Sequence, residues 1–411
     1  MYGMSLVWIV SSSPFLPCWR MTEYLFHDVP RLPRGFRCAA VHCGIKPTGK
    51  DLALFASEVP GVVAGVFTRS LFPGAPVVVG RELLRAGRLQ AIVVNSKVSN
   101  VGTGEEGLRH ARRMGAAAAR ALGISPELVL MSSTGVIGVP LPIERIEAAA
   151  EGLVAALQHD PLTGADGIMT TDTHPKALSL SIKNAVLTVV AKGSGMIEPN
   201  MATMLCYVLT DAELHAPALD GSLRRVVDDT LNMLSVDSDT STSDSCVAIA
   251  NGRAGPVALD AFEEALHAAL TRTTELLARD GEGATRLLRV TVQGAASRSE
   301  ARRIAKSLVN SPLIKTMVYG GDPNVGRILM AVGKCFECSV DPGRLVAHIG
   351  PMTVFRDGNR TEFDEGGARA LLGGDPVDLS VDLGVGQGEA RAWGCDLTPG
   401  YIAENAAYFS S

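Results

Sequence analysis

The sequence predicts a mixed α/β protein of stacked sheets with helical outer layers. Three observations carry that expectation. Short apolar runs bounded by turn residues recur along the chain and read as strands. Between them lie alanine-, leucine- and arginine-rich stretches long enough to cover sheet faces. Composition, 46% apolar and 20% charged over 411 residues, is that of a globular chain able to bury a sizeable core.

In chain order, the stretch after Met21 reads as loop-rich through RLPRGFRCAAVHCGIKPTGKDLALF. Gly61–Thr68, Pro76–Gly80 and Ala91–Asn95 follow as strands. Glu105–Leu122 is a helix, Leu128–Met131 a short strand, and Pro142–Leu157 a second helix with Pro142 near its start. After a polar loop at Met169–Lys176, Ala177–Ile182 and Ala185–Ala191 read as a strand pair. Pro217–Ser235 is helical, Cys246–Ala250 a strand, and Asp260–Arg279 the clearest amphipathic helix. Leu287–Gln293 is a strand and Arg298–Val309 a helix, with further strands at Lys315–Tyr319, Leu345–Ile349, Val377–Leu383 and Ala390–Cys395.

A net charge of −5 without a basic stripe argues against a nucleic-acid partner and for small molecules and self-association. The eight cysteines are scattered, which fits a reducing, cytoplasmic setting better than a disulfide framework. Residues 1–20 hold an apolar stretch interrupted by Pro14 and Pro17, with no basic start and too short to span a bilayer. They read as a poor secretory signal, a disordered extension or an upstream start with Met21 the true beginning, the last two favoured, and no other segment reads as transmembrane.

The chain is organised around AKGSGMIEPNMATMLCYVLTDA, from Ala191 to Ala212. Gly193 and Gly195 permit a tight turn, and Pro199 keeps Glu198 out of a helix. Thr203 therefore falls where a constrained loop enters a core strand. Cleavage of the Ala202–Thr203 bond would give its hydroxyl an α-amine as base, the N-terminal threonine arrangement.

Other motifs have plainer readings. Gly44–Lys50 imitates a phosphate loop, but Asp51 stands where Ser or Thr should hold magnesium, and turn chemistry explains the glycines. Cys335 and Cys338 form a lone CxxC without the second pair zinc requires. VDSDTSTSD (236–244) lacks the glycine and glutamate of a calcium loop and suits Asx-turns and caps. His174 lies in a candidate site loop and reads as solvated. The amides of Thr134-Gly135, after a strand, form either an oxyanion hole or a simple turn. Glu282 sits between Gly281 and Gly283, and a helix-terminating loop explains those glycines without explaining the carboxylate. Lys192 reads either as a surface lysine or as a cation for a substrate carboxylate.

The blocks MSSTGVIG (131–138), MTTDTHPK (169–176), AKGSGMIEPNMATML (191–205), DTSTSD (239–244), DGEGAT (280–285), NSPLIKT (310–316), GGDPNVGRIL (320–329) and GCDLTPGYIAENAAYFSS (394–411) run in one order over nearly the whole chain. Together they resemble the ornithine acetyltransferases of the arginine pathway, the ArgJ family. The resemblance implies an αββα-type sandwich, cut between Ala202 and Thr203 into fragments 21–202 and 203–411 that form one intimate protomer and assemble as α2β2. It implies that Thr203 carries the acetyl group from N2-acetyl-L-ornithine to L-glutamate in a ping-pong cycle, without metal or organic cofactor; acetyl-CoA is a second donor in bifunctional members.

By the same resemblance Thr134 and Gly135 match the oxyanion-hole pair, and Thr170, Lys192, Glu282, Asn405 and Ser410 match substrate-binding positions. That set suits an N-acyl amino acid: Lys192 for an α-carboxylate, Glu282 for an ammonium, Asn405 and Ser410 for remaining polar groups. Two stretches depart from the family pattern, Val325 where tryptophan is usual and Asn95–Asn100 (NSKVSN) in place of NSGNAN. They leave a specialised-pathway N-acyltransferase open as an alternative, beside an amidase or aminopeptidase in which water replaces the acceptor amine.

Overall fold

The computed structural model describes residues 24–198 and 204–406. Ala202, Thr203, Ser410 and the 1–20 extension lie outside the described residues. One nine-stranded sheet comprises β1 (Tyr24–Phe26), β2 (Phe36–Val41), β3 (Leu52–Phe67), β4 (Arg88–Asn95), β5 (Val129–Ser133), β6 (Lys176–Ile182), β7 (Ala185–Lys192), β8 (Leu205–Glu213) and β9 (Ser245–Pro256). Their order is β1-β6-β7-β8-β9-β3-β4-β5, with β2 also paired to β3. A six-stranded sheet, in the order β13-β12-β11-β14-β10-β15, holds β10 (Leu287–Ala295), β11 (Val346–Ile349), β12 (Met352–Arg356), β13 (Asn359–Arg360), β14 (Val377–Asp382) and β15 (Gly388–Cys395). The helices are α1 (Ala75–Leu83), α2 (Gly104–Leu122), α3 (Ile143–Ala155), α4 (Pro161–Ile168), α5 (Ala216–Asp229), α6 (Leu259–Arg279), α7 (Arg298–Asn310), α8 (Pro312–Gly320), α9 (Val325–Gly333), α10 (Glu365–Leu372) and α11 (Pro399–Asn405).

The long strand β3 turns the first sheet into a sandwich. Its first half, Leu52–Ala56, pairs with β2 and β4; after a register shift, Val62–Phe67 pairs with β9. Side chains alternate along a strand, so each half shows one face inward and one outward. Ala53, Phe55 and Val63 share an interior cluster with Leu205, Tyr207 and Leu209 of β8. Phe55 and Tyr207 meet there with ring centroids 5.4 Å apart. On the outer face of one layer, Leu52 and Leu54 pack with Met114, Ile143 and Ile146 of α2 and α3. On the outer face of the other, Cys206 and Val208 pack with residues of α5 and α6, including Leu223, Phe262 and Leu266. That is the expected αββα sandwich. Helix α6 also contacts β10 and β15, and so joins the sandwich to the six-stranded sheet, which α7 covers from its own side.

Two predicted strands are helices. Pro76–Gly80 lies in α1, where Gly74 is the N-cap and Pro76 occupies the first turn. Its valines reflect burial against β5 and α2 rather than pleating, so tertiary packing overrides β-propensity. Lys315–Tyr319 lies in α8, opened by the Ser311 hydroxyl accepting from the Ile314 amide and closed by Gly321 in the left-handed region. The loop-rich opening conceals β2 and the start of β3. Glu105–Leu122, Pro142–Leu157, Asp260–Arg279 and Arg298–Val309 agree with α2, α3, α6 and α7 within a few residues.

Candidate active site

The site gathers at the head of β8, which runs between β7 and β9. β8 and β9 are parallel, with Leu205 opposite Ser245, so Met204 lies beside Asp244. Thr203 immediately precedes these described residues in sequence. The end of β7 brings in Lys192, the end of β5 brings in Thr134 and Gly135, and the loop between α4 and β6 brings in Thr170.

Lys192 is buried, and its Nζ donates to Thr170 Oγ1 at 2.8 Å and Thr134 Oγ1 at 3.3 Å. Burial pulls its pKa below the ordinary lysine value, opposed mainly by the Asp172 carboxylate. Lys192 is thus a buried group, not a surface lysine. Among the described residues a cavity of about 30 Å³ opens here, lined by Thr134, Lys192, Gly193, Gly195, Met204 and Asp244.

Gly135 has φ +127°, and a Cβ there would lie 2.2 Å from the Lys97 carbonyl carbon, so only glycine fits. The two flanking amides are committed: Thr134 N–H donates to Asn95 O and Val136 N–H to Lys97 O. The Gly135 amide takes no partner among the described residues. Of the two readings left open for these amides, a turn accounts for that of Thr134, which the sheet takes, while the Gly135 amide is left over and the Thr134 hydroxyl accepts from Lys192. The segment that departs from the family pattern therefore builds the wall of this niche: Asn95 receives the Ser133 hydroxyl at 2.6 Å and donates to Val98 O at 2.8 Å.

Glu282 lies across the turn from Lys192. Its carboxylate presses on Gly195, where an added Cβ would fall 2.2 Å from the carboxyl carbon. The glycine turn and the loop after α6 are stitched together, Glu282 N–H donating to Ser194 O at 2.9 Å and Ser194 Oγ to Asp280 O at 2.7 Å. The C-terminal helix α11 docks on the same loop through the Thr398 hydroxyl, which donates to Gly283 O at 2.6 Å. That places Asn405 where its Nδ2 donates to Glu282 Oε2 at 2.8 Å. The carboxylate between two glycines thus has a reason: it faces the glycine turn on one side and the C-terminal helix on the other.

Three further residues complete the arrangement, inside motif blocks but not singled out by sequence reasoning. Asp172 accepts from Thr170 N–H at 2.9 Å, Gly193 N–H at 2.7 Å and Lys176 Nζ at 2.7 Å. Burial opposes its charge, yet Lys192 and Lys176 outweigh this and hold the carboxyl well below the usual range. Lys176 bridges Asp172 to Asp280, all three side chains buried. An acidic residue four before a lysine in TTDTHPK, with DGEG later, was the available signal. The partner across more than a hundred residues was not visible. His174 is half-exposed, 3.4 Å from Asp280, and has no contact with Lys192 or Thr134 among the described residues.

Two of the loop motifs form the turns and caps expected of them. Asp51 accepts the amides of Cys43, Ile45 and Lys46, closing the glycine loop as a turn. Asp237 of the polar segment caps the amides of Met196, Ile197 and Asp239. Among the described residues no cluster of His, Cys, Asp and Glu could hold a metal ion. A larger cavity of about 770 Å³, between α5, α6 and α7, lies away from this chemistry. Its arginines are engaged, Arg225 with Glu263 and Arg298 with Asp229.

An αββα sandwich with hydroxyls, one amide and a buried lysine gathered at the head of its central strand suits one class, enzymes that transfer acyl groups. More narrowly, this chain belongs to the ArgJ family, whose sequence model matches residues 37–410. It is 47% identical to the arginine biosynthesis bifunctional protein ArgJ of Symbiobacterium thermophilum, over 92% of this chain and 97% of that protein. It is 44% identical to the protein of the same name from Thermotoga neapolitana, over 92% and 99%. A protein of Streptomyces clavuligerus named glutamate N-acetyltransferase is 42% identical over 93% and 99%. Among the described residues no helix is long and apolar enough to cross a membrane.

Proposed function

We infer that this chain is a self-cleaving N-acetyltransferase that moves the acetyl group of N2-acetyl-L-ornithine to L-glutamate through an acetyl-threonyl intermediate. The observation that carries the reading is the convergence of Thr134, Thr170 and the buried Lys192 ammonium at the head of β8.

In maturation the Thr203 hydroxyl attacks the Ala202 carbonyl carbon. The C–N bond breaks, the hydroxyl proton passes to the departing amine, and water hydrolyses the ester to leave an Ala202 carboxylate. The freed α-amine then acts as the base for the same hydroxyl. In transfer, Thr203 Oγ attacks the acetyl carbonyl, and the Gly135 amide with the Thr134 hydroxyl stabilises the oxyanion. Ornithine departs with the proton, glutamate's amine attacks the acetyl ester, and Thr203 is regenerated. Lys192 receives the α-carboxylate, while Glu282, oriented by Asn405, receives an ammonium; Ser410 belongs to the same proposal. Fragments 21–202 and 203–411, an α2β2 assembly and a cytoplasmic setting complete it. The cycle as written draws on no organic cofactor or metal. Acetyl-CoA as an alternative donor belongs to the same proposal.

Mass spectrometry of the purified protein tests this. Fragments meeting at 202 and 203, an acetyl adduct on Thr203 after N-acetylornithine, its loss on adding glutamate, and an uncut Thr203→Ala variant are expected. An active protein that stays one chain refutes the reading, and ornithine release that glutamate does not accelerate favours a hydrolase.

A further inference from the structure

Residues 196–198 are the last described stretch before the proposed scissile bond, and parts of the chain that follow the bond hold them from two sides. From the loop ahead of β9, the Asp237 carboxylate accepts Met196 N–H at 2.6 Å and Ile197 N–H at 2.8 Å. The same loop takes both backbone groups of Glu198: its N–H donates to Asp239 O at 2.9 Å, and its carbonyl accepts from Thr240 Oγ1 at 2.8 Å. From α7, Asn310 Nδ2 donates to both Glu198 carboxylate oxygens at 2.8 Å, and Lys306 Nζ lies 3.3 Å away. Lys306 also donates to Leu234 O at 2.7 Å. Met196 is held at φ +53°, a conformation a side chain rarely adopts unless its surroundings impose it. Downstream of the bond, Met204 O accepts from Ser245 N–H at 2.9 Å.

None of these groups has a part in the transfer cycle above. A salt-bridged, doubly hydrogen-bonded carboxylate on a loop needs a purpose beyond solubility, since neither partner serves substrate. Burial pulls Lys306 down to about 8, with Glu198 the principal group opposing it, so the ammonium is retained at a cost in desolvation.

We propose that Glu198, with Lys306 and Asn310 as its anchors and Asp237 holding the two residues before it, is a positioning residue for self-cleavage, fixing the chain upstream of Ala202–Thr203 as β8 fixes it downstream. The proposal rests on the self-cleavage reading above. An attack by a neighbouring hydroxyl on a peptide carbonyl depends on approach geometry, and a misplacement of about 1 Å costs on the order of 10²-fold in rate. Once the bond is cut and one water consumed, the clamp has no further part in chemistry.

The test separates maturation from turnover. Glu198→Gln keeps the size and removes the charge, and Lys306→Met removes the anchor. Each variant, freshly synthesised, is followed by denaturing gel for fragment appearance, then assayed for acetyl transfer per cut chain and for its melting midpoint. Cleavage slowed by about 10- to 100-fold, with kcat and KM per cut chain close to wild type, is expected, and Lys306→Arg should recover part of the cleavage rate. Cleavage at the wild-type rate overturns the proposal, as does a fall of cleavage, transfer and melting midpoint in step without rescue by arginine. A wild-type chain that never cuts refutes self-cleavage itself, a result distinct from either.

Discussion

Replacing Lys176 with methionine should be among the most damaging single changes in this protein, although Lys176 touches no proposed substrate group. Its ammonium lies 2.7 Å from Asp172 and bonds Asp280 on its other side, and the three side chains are at most 2% exposed. Exposed ion pairs contribute about 0–1 kcal/mol. Here the buried regime applies, where removing one partner strands charge and costs about 3–5 kcal/mol. For a protein of this size that is a drop on the order of 3–6 °C in melting midpoint. The stability has a pH signature. Asp172 is held below its ordinary value, so its contribution is complete above about pH 4 and drains away as pH falls through the lower, folded value. In Lys176→Met the depression shrinks, so the acid loss should be smaller and should be complete at a higher pH. Thermal or denaturant unfolding of the wild type, Lys176→Met, Asp280→Asn and the double variant, from pH 3 to 8, gives the coupling directly. The double variant should lose less than the sum of the singles by about 0.5–3 kcal/mol. Additive losses, or a single-variant cost below about 1 kcal/mol, would show that no buried charge network exists.

Other variants probe the site itself. Gly135→Ala places a methyl against the Lys97 backbone at φ +127° and should reduce both self-cleavage and acetyl transfer by about 10²–10³-fold, read from fragment appearance and kcat. Lys192→Met should raise KM for N-acetylornithine more than it lowers kcat. Because burial lowers the Lys192 pKa, wild-type KM should climb with rising pH well before an ordinary lysine would deprotonate near about 10.4. Asn405→Ala frees one side of the Glu282 carboxylate and should weaken acetylornithine binding by about 1–3 kcal/mol, measured as KM, with little effect on cleavage.

The chain disclosed its chemistry more readily than its topology. Of the residues in the motif blocks, Thr134, Thr170 and Lys192 meet through hydrogen bonds, with Glu282 against the neighbouring glycine turn. What escaped was the set beneath them. Asp172, Lys176 and Asp280 act through each other, and a salt bridge between residues 176 and 280 leaves no local trace. Helices with an amphipathic stripe, such as α6, were legible because 3.6-residue periodicity is local. The PVVVG run of α1 and the KTMVY run of α8 were not, because a short apolar run buried on several sides has the same composition as a strand or a helix. Segment β2 lay hidden in a stretch rich in Gly, Pro and Lys, its strand character supplied by β3 rather than by its own pattern.

Placing the cut just before β8 has a structural consequence that follows from sheet order. β8 stands between β7, which precedes the proposed break, and β9, which follows it. The β7–β8 ladder, from Leu187↔Thr210 to Lys192↔Leu205, therefore joins one fragment to the other, and so does the β3–β9 ladder from Val62↔Ala250 to Phe67↔Ser245. The interior cluster crosses as well, Phe55 of one fragment packing on Tyr207 of the other. Pulling the fragments apart would expose two central ladders and the sandwich interior together, so neither fragment has a complete core of its own. A cut there would sever none of this load: the sheet would hold the strands on either side whether or not they remain covalently joined. The two fragments should accordingly co-migrate through gel filtration under native conditions and part only in denaturant. Separation in native buffer would mean that the ladders across β7–β8 and β3–β9 are not what holds the protein together.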